Sequence, residues 1–183
     1  MEDYEIIEKI KKGDENGINE LYTKYGKQAY RTAYLITSNS YTAEDVTQEA
    51  FVQSIKAIKT LKNPNSFKPW FYKILTRIAW KHAKKDTYCI LVDEMTNRIN
   101  TSACDEYFKD NKYDLLYEEI NKLNEKLKTT IILFYFNEMS INEISKTMGC
   151  LEGTVKSRLF TAKRKLRKSL NKEVFQWIIW IMI

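Results

Sequence analysis

The sequence predicts an all-α fold: two small helical domains joined by a flexible linker, the second a four-helix domain with a helix-turn-helix. Three observations predict it. The 183 residues include only five Gly and two Pro, too few for a turn-rich sandwich or a fold built on glycine loops. Apolar residues recur at steps of three and four, the period of an amphipathic helix. That period lapses near residue 86 and returns near 113, and a structureless stretch of about 25 residues is uncommon inside one compact domain. The division is therefore residues 1–85, a linker over 86–112, a second domain over 113–172 and an apolar tail over 173–183.

Ile18, Leu21, Tyr22, Tyr25, Ala29, Ala33 and Ile36 form one stripe on a long helix that Ser38-Asn39-Ser40 ends. Thr42-Ala43-Glu44-Asp45 has the form of a capping box opening the next helix. That helix packs through Val46, Ala50, Ser54, Ile55 and Ile58, and Asn63-Pro64-Asn65 breaks it. Ser66 reads as the cap of a third helix running to about Lys85. One face of this helix is Phe71, Ile74, Leu75 and Ile78; another is a basic stripe of Lys73, Arg77, Lys81 and Lys84. After the linker, Leu116, Ile120, Leu123 and Leu127 line one short helix, and Thr130 to Phe136 form a very apolar second. Ser140-Ile141-Asn142-Glu143 is a capping box for a third, with Ile144 and Met148 inward. Gly149 fits a left-handed turn, and a last helix buries Val155, Leu159, Ala162, Leu166 and Leu170.

Charge is segregated along this frame. Residues 1–49 hold 6 basic and 10 acidic side chains, whereas 50–85 hold 9 basic and none acidic. Residues 86–151 hold 7 and 12, and 152–172 hold 8 and 1. Two basic blocks on an otherwise acidic chain point to two polyanion-facing surfaces. Other classes fall away. The start Met1-Glu2-Asp3-Tyr4-Glu5 is no secretory signal, and the run Trp177 to Ile183 is far short of the roughly 20 residues that span a bilayer. Cys89, Cys104 and Cys150 lie far apart, which argues against disulfides or zinc and suits a reducing cytoplasm. The single His82 sits in a Lys-rich stretch and reads as a solvated or DNA-facing residue. Without paired carboxylates near a His, metal-spaced Cys and His, or a Gly-rich phosphate loop, an enzyme is disfavoured, and no metal or cofactor is expected.

The sharpest local motif is the helix-turn-helix over Ile141 to Phe160, with Ser145 at a close crossing, Gly149 in the turn and Val155 anchoring the second helix. The outward face of that helix carries Lys156, Ser157, Phe160, Thr161, Lys163, Arg164, Arg167 and Lys168, with Glu152 the lone acid. Donors and cations in that order suit a major groove, where donors read base edges and cations hold phosphates. In the basic helix, Trp70, Phe71, Tyr72 and Trp80 lie among cations. Two readings stand for these rings: stacking on single-stranded bases, or packing in the core.

Three stretches carry a family likeness: Ala43-Glu44-Asp45-Val46-Thr47-Gln48-Glu49-Ala50-Phe51, then Phe67-Lys68-Pro69-Trp70-Phe71-Tyr72-Lys73-Ile74, then Met139-Ser140-Ile141-Asn142-Glu143-Ile144 with Gly153-Thr154-Val155-Lys156-Ser157-Arg158-Leu159. In this order they resemble bacterial RNA polymerase sigma factors of the extracytoplasmic-function group. The resemblance implies that Asp45, Gln48 and Glu49 dock on the clamp of the polymerase largest subunit, with a further contact on the flap. It implies that the loop from Leu61 to Phe67, with Asn63, Asn65 and Phe67, receives a base flipped out of the −10 promoter element; the stripe of Lys73, Arg77, Lys81 and Lys84 is expected, by its own chemistry, to hold the opened strand. It implies that Lys156, Ser157, Arg158, Phe160 and Thr161 read the duplex −35 element; Lys163 and Arg164, further along the helix, are expected by position to meet the backbone. The family usually has Asn in place of Arg77, often Asp in place of Lys81, and commonly Arg in place of Thr161. An anti-sigma factor is an expected partner. The rival reading is a stand-alone helix-turn-helix regulator of duplex DNA, which needs neither the second basic block nor the long linker. The tail from Val174 to Ile183 is outside the resemblance. It reads as packing on the second domain, an aberrant extension, or a contact with a regulatory partner.

Overall fold

The computed structural model describes residues 3–90 and 111–170, with side chains over 3–84 and 115–170. Eight α-helices make up the described chain: α1 (Asp3–Lys11), α2 (Glu15–Thr37), α3 (Ser40–Ala57), α4 (Phe67–Ile90), α5 (Asn111–Asn121), α6 (Glu125–Ile131), α7 (Ile141–Met148) and α8 (Glu152–Ser169). No strand occurs among the described residues. The tail and most of the linker lie outside them.

Local chemistry sets the boundaries. Asp14 caps α2 by accepting from the Asn16 N–H at 2.9 Å. Ser38, at φ 59°, ends that helix in the left-handed region. The cap of α3 is Asn39, whose Oδ1 accepts from the Thr42 N–H at 3.0 Å. The capping box expected at Thr42 is therefore displaced three residues: Asn39 takes the donor first, and Thr42 lies inside the helix. A turn of 3-10 helix, Pro64–Ser66, precedes α4, with Asn63 Oδ1 accepting from the Asn65 N–H at 3.0 Å. The fourth helix runs to Ile90, five residues into the expected linker.

The N-terminal helix α1 was not expected from the stripe, although Ile6, Ile7 and Ile10 have helical spacing. All three are buried. Helix α1 crosses α2 at Gly17, where an added Cβ would stand 2.9 Å from Ile10 Cγ1 and from Lys9 Cβ. Only a hydrogen lets the backbones approach that closely. Helices α3 and α4 pack on α2 around a knot of rings, with Phe51–Phe71 centroids 4.9 Å apart, Phe67–Phe71 at 5.5 Å and Tyr25–Phe67 at 5.2 Å. Each such ring contributes about 1.5–3 kcal/mol by leaving water.

In the second half, the single helix expected over Leu116 to Leu127 is two. Helix α5 ends at Asn121, and Asn124 caps α6 by accepting from the Leu127 N–H at 2.9 Å. An Asn at that place offers the backbone a better partner than the next helical carbonyl does. Helix α6 runs directly into a π-helical turn, Ile132–Phe136, closed by Asn137 N–H to the Ile132 carbonyl at 3.2 Å. The capping box at Ser140 and Glu143 forms in full. Gly149 adopts φ 61° after α7. Helix α8 buries Val155, Leu159, Ala162, Leu166 and, at its end, Leu170. The two halves also pack on each other, chiefly α7 on α4.

Candidate nucleic-acid interface

Helix α4 turns Phe71, Leu75 and Ile78 into the core, which forces Lys73, Arg77, Lys81 and Lys84 outward. All four are exposed, and among the described residues none pairs with a carboxylate. Four unneutralised cations along one helix repel one another, so the stripe favours a polyanion beside it. The aromatic question divides. Phe71 and Tyr72 are wholly buried, and burial raises the Tyr72 hydroxyl's pKa well above that of an ordinary tyrosine. Trp70 is partly buried beside Phe67, with centroids 5.9 Å apart. Trp80 spends its Nε1–H on Thr129 Oγ1 at 2.9 Å.

At the loop before α4, Asn63 and Asn65 are exposed. Phe67 is not: it is 0% exposed and stacked on Phe71. The assignment of Phe67 to DNA is corrected here. Its ring closes the aromatic core of the first half, and a base reaches it only if that core opens.

On α3, Asp45 and Gln48 are exposed, and Glu49 is half-buried. Glu49 is held: Gln53 Nε2 donates to Oε1 at 2.9 Å, and His82 Nε2 lies 3.3 Å from Oε2. The lone histidine thus ties α4 to α3 rather than standing free toward DNA. The sequence hid this pair because the partners are 33 residues apart.

Helix α8 presents Lys156, Ser157, Phe160, Lys163 and Arg164 to solvent. Phe160 is 67% exposed, a large ring standing among the cations of this face. Lys163 Nζ lies 5.2 Å from the Tyr135 ring centroid and 6.0 Å from Phe134, a geometry that fixes the cation above the π turn. Arg164 stands 5.9 Å over Phe160. Thr161 is partly buried. Arg158 faces the turn: its Nη1 lies 3.5 Å from Cys150 Sγ and 3.8 Å from Met148 Sδ. The expected group of seven therefore splits into five outward side chains and two that lean on the domain. A further residue at the start of α8 was not singled out for contact: Leu151, the N-cap, makes no side-chain cap bond and is 80% exposed. Among the described residues, no group of His, Cys, Asp and Glu could hold a metal ion, and no helix is long and apolar enough to cross a membrane.

Two cationic helix faces, one after an all-helical core and one in a helix-turn-helix, have counterparts in known proteins. Residues 21–87 match Sigma-70 region 2, and residues 113–166 match Sigma-70, region 4. The RNA polymerase sigma factor SigV of Bacillus subtilis (strain 168) is 32% identical over 151 residues, 82% of this chain and 89% of that protein. The ECF RNA polymerase sigma factor SigW of the same strain is 27% identical over 90% of this chain and 95% of its own length. Among solved structures, the sigma factor RpoE of Bartonella quintana in complex with the anti-sigma factor NepR shares the fold. Its TM-score is 0.69 at 17% identity, covering 82% of this chain and 94% of that one. With both regions matched in order and a curated relative spanning most of its length, the chain belongs to the sigma-70 family, as an extracytoplasmic-function sigma factor that binds core RNA polymerase and directs it to promoters.

Proposed function

We propose that the promoter is held at two places by two separate faces of this sigma factor. The −10 strand lies on Lys73, Arg77, Lys81 and Lys84, with Asn63 and Asn65 lining the entrance for an extruded base. The −35 duplex takes the N-terminal half of α8, where Lys156, Ser157 and Phe160 meet base edges, while Lys163 and Arg164 meet phosphates. Asp45, Gln48 and Glu49 offer acceptors to the polymerase clamp. The single observation behind this reading is that both faces carry exposed cations with no carboxylate partner among the described residues. A merely solvated face mixes both signs.

The chain works as a binding factor in the cytoplasm, without catalysis or cofactor. Residues 1–85 with the rest of α4 form the −10 domain, and 113–172 form the −35 domain. An anti-sigma factor is its regulatory partner, as NepR is for RpoE. Permanganate footprinting tests the −10 assignment. Holoenzyme with Arg77→Ala and Lys81→Ala should assemble normally yet show less reactive thymine at the start site. Normal melting by that double variant would remove the stripe from strand opening.

A further inference from the structure

The promoter reading leaves two neighbouring features of the chain without a role. One is the sequence that follows α8. From Val174 to Ile183 it carries no charge, Gln176 is its one polar side chain, and Trp177 and Trp180 stand three positions apart. The other is the density of cations just before it. Lys163, Arg164, Lys165, Arg167, Lys168 and Lys172 face a single acid, Glu173.

The structure places five of these cations. On α8, Lys163, Arg164, Lys165, Arg167 and Lys168 are exposed, because Leu159, Ala162, Leu166 and Leu170 take the buried face. Among the described residues none of the five pairs with a carboxylate. Phe160 belongs to the same outward arc, with Lys163, Arg164 and Arg167 three, four and seven positions further on. The exposed side of α8 is thus a basic face with a large ring set into it.

The described surface of the second half offers no apolar groove to match the nine apolar side chains of 174–183. The buried face of α8 is already spent on its own domain. The large apolar side chains left exposed there are dispersed: Leu115 is on α5, and Leu151 and Phe160 are nine positions apart along α8, which is about 13 Å. A nucleic acid would satisfy the cations and leave the apolar side chains in water. A purely apolar protein groove would do the reverse. An anionic lipid interface takes both, since Trp favours the headgroup level, aliphatic side chains favour the acyl boundary, and Lys and Arg meet headgroup phosphates. Ten residues are about half of the roughly 20 that a spanning helix needs, so such a contact lies on the bilayer.

We propose that residues 174–183 and the basic face of α8 together form a docking surface for an anionic lipid bilayer, with Trp177 and Trp180 as its interfacial anchors. Neither signal suffices alone: a short apolar anchor binds reversibly, and adjacent cations make the attachment stable. The cations that meet lipid phosphates include those that the promoter reading sets on DNA phosphates. Bilayer and −35 duplex therefore compete for α8, a consequence that rests on that reading.

Co-sedimentation of the full chain with vesicles, without DNA or polymerase, tests the contact. Vesicles rich in phosphatidylglycerol should carry the wild type down, and phosphatidylcholine vesicles should leave it in solution. Trp177→Glu with Trp180→Glu should weaken the binding by about a hundredfold, and Lys165→Gln with Lys168→Gln by about thirtyfold, both at unchanged helicity by circular dichroism. A wild type that stays in solution, binds both lipids equally, or binds no better than the Trp variant overturns the proposal. So does a wild type that forms a larger assembly without lipid and loses it in the Trp variant, because the segment then packs on a second copy of the chain. A transcription arm reads the competition. Phosphatidylglycerol vesicles added before core polymerase should lower promoter-directed transcription by the wild type, and the Trp variant should transcribe equally with and without them. Vesicles that bind the wild type yet leave its transcription intact support the bilayer contact and count instead against α8 as the −35 helix.

Discussion

Phe67 and Phe160 carry the same ring to opposite places. Phe67 is sealed in the first half's core, whereas Phe160 is 67% exposed on α8. Phe67→Ala should therefore lower stability by about 3–5 kcal/mol through lost burial and a residual cavity, read as a drop in Tm with both halves' secondary structure intact below the transition. Phe160→Ala should leave Tm within about 0.5 kcal/mol equivalent and act on promoter binding instead. Within α8, Ser157→Ala should change which −35 sequence is preferred in a randomised-promoter selection by holoenzyme. Lys163→Ala should weaken all sequences alike and shallow the salt slope by about one unit. Uniform loss from both would mean the helix supplies charge without readout.

Lys128 gives a residue-scale pH effect. It is 8% exposed, donates to the Ile36 carbonyl at 2.9 Å, and burial lowers its pKa to about 8. Above pH 8 the folded chain releases this proton while the unfolded chain, with an ordinary lysine, keeps it until about pH 10.4. The unfolded state then binds more protons, so stability gained from this group rises between those pH values. Denaturant titration of wild type against Lys128→Met should show their difference moving in favour of the wild type from pH 8 to 10. A constant difference would place the charge in water.

At the scale of elements, apolar periodicity exposed most helices to a sequence reading. The stripes from Leu21 to Ile36 and from Val155 to Leu170 are long, and burial follows them residue by residue. What the sequence hid was decided by competition among short polar side chains. Asn39 outcompeted Thr42 for the start of α3, and Asn124 cut one expected helix in two. Both outcomes turn on which oxygen reaches a free N–H first, which spacing does not reveal. The two cationic faces were legible because cations excluded from the core must point outward. The placement of Phe67, Arg158 and His82 was not, since each depends on a neighbour distant in sequence or across a turn. Gly17 tests the closest helix crossing. Gly17→Ala should destabilise the first half, because the new methyl meets Lys9 Cβ and Ile10 Cγ1 at 2.9 Å, and the cost should be about 1–3 kcal/mol for overpacking. Gly149→Ala, in open space but at φ 61°, should cost about 1 kcal/mol from backbone strain alone. Chemical denaturation separates the two.

At the scale of the whole molecule, two helical halves, one matching each sigma-70 region, make up one sigma factor. The first half carries the exposed arc of Asp45 and Gln48 and the cationic face of α4, and the second carries the cationic face of α8. A stand-alone regulator would need one DNA face and no polymerase. Promoter recognition is what this chain confers on core RNA polymerase. Reconstitution with purified core RNA polymerase on a library of randomised promoters tests it most directly. Transcripts should start at defined sites only when the chain is present, with enriched −10 and −35 sequences, and Asp45→Arg with Gln48→Ala should abolish them by preventing core binding at unchanged helicity. Equal, unselective transcription with and without the chain, alongside tight binding of duplex DNA by the chain alone, would contradict it.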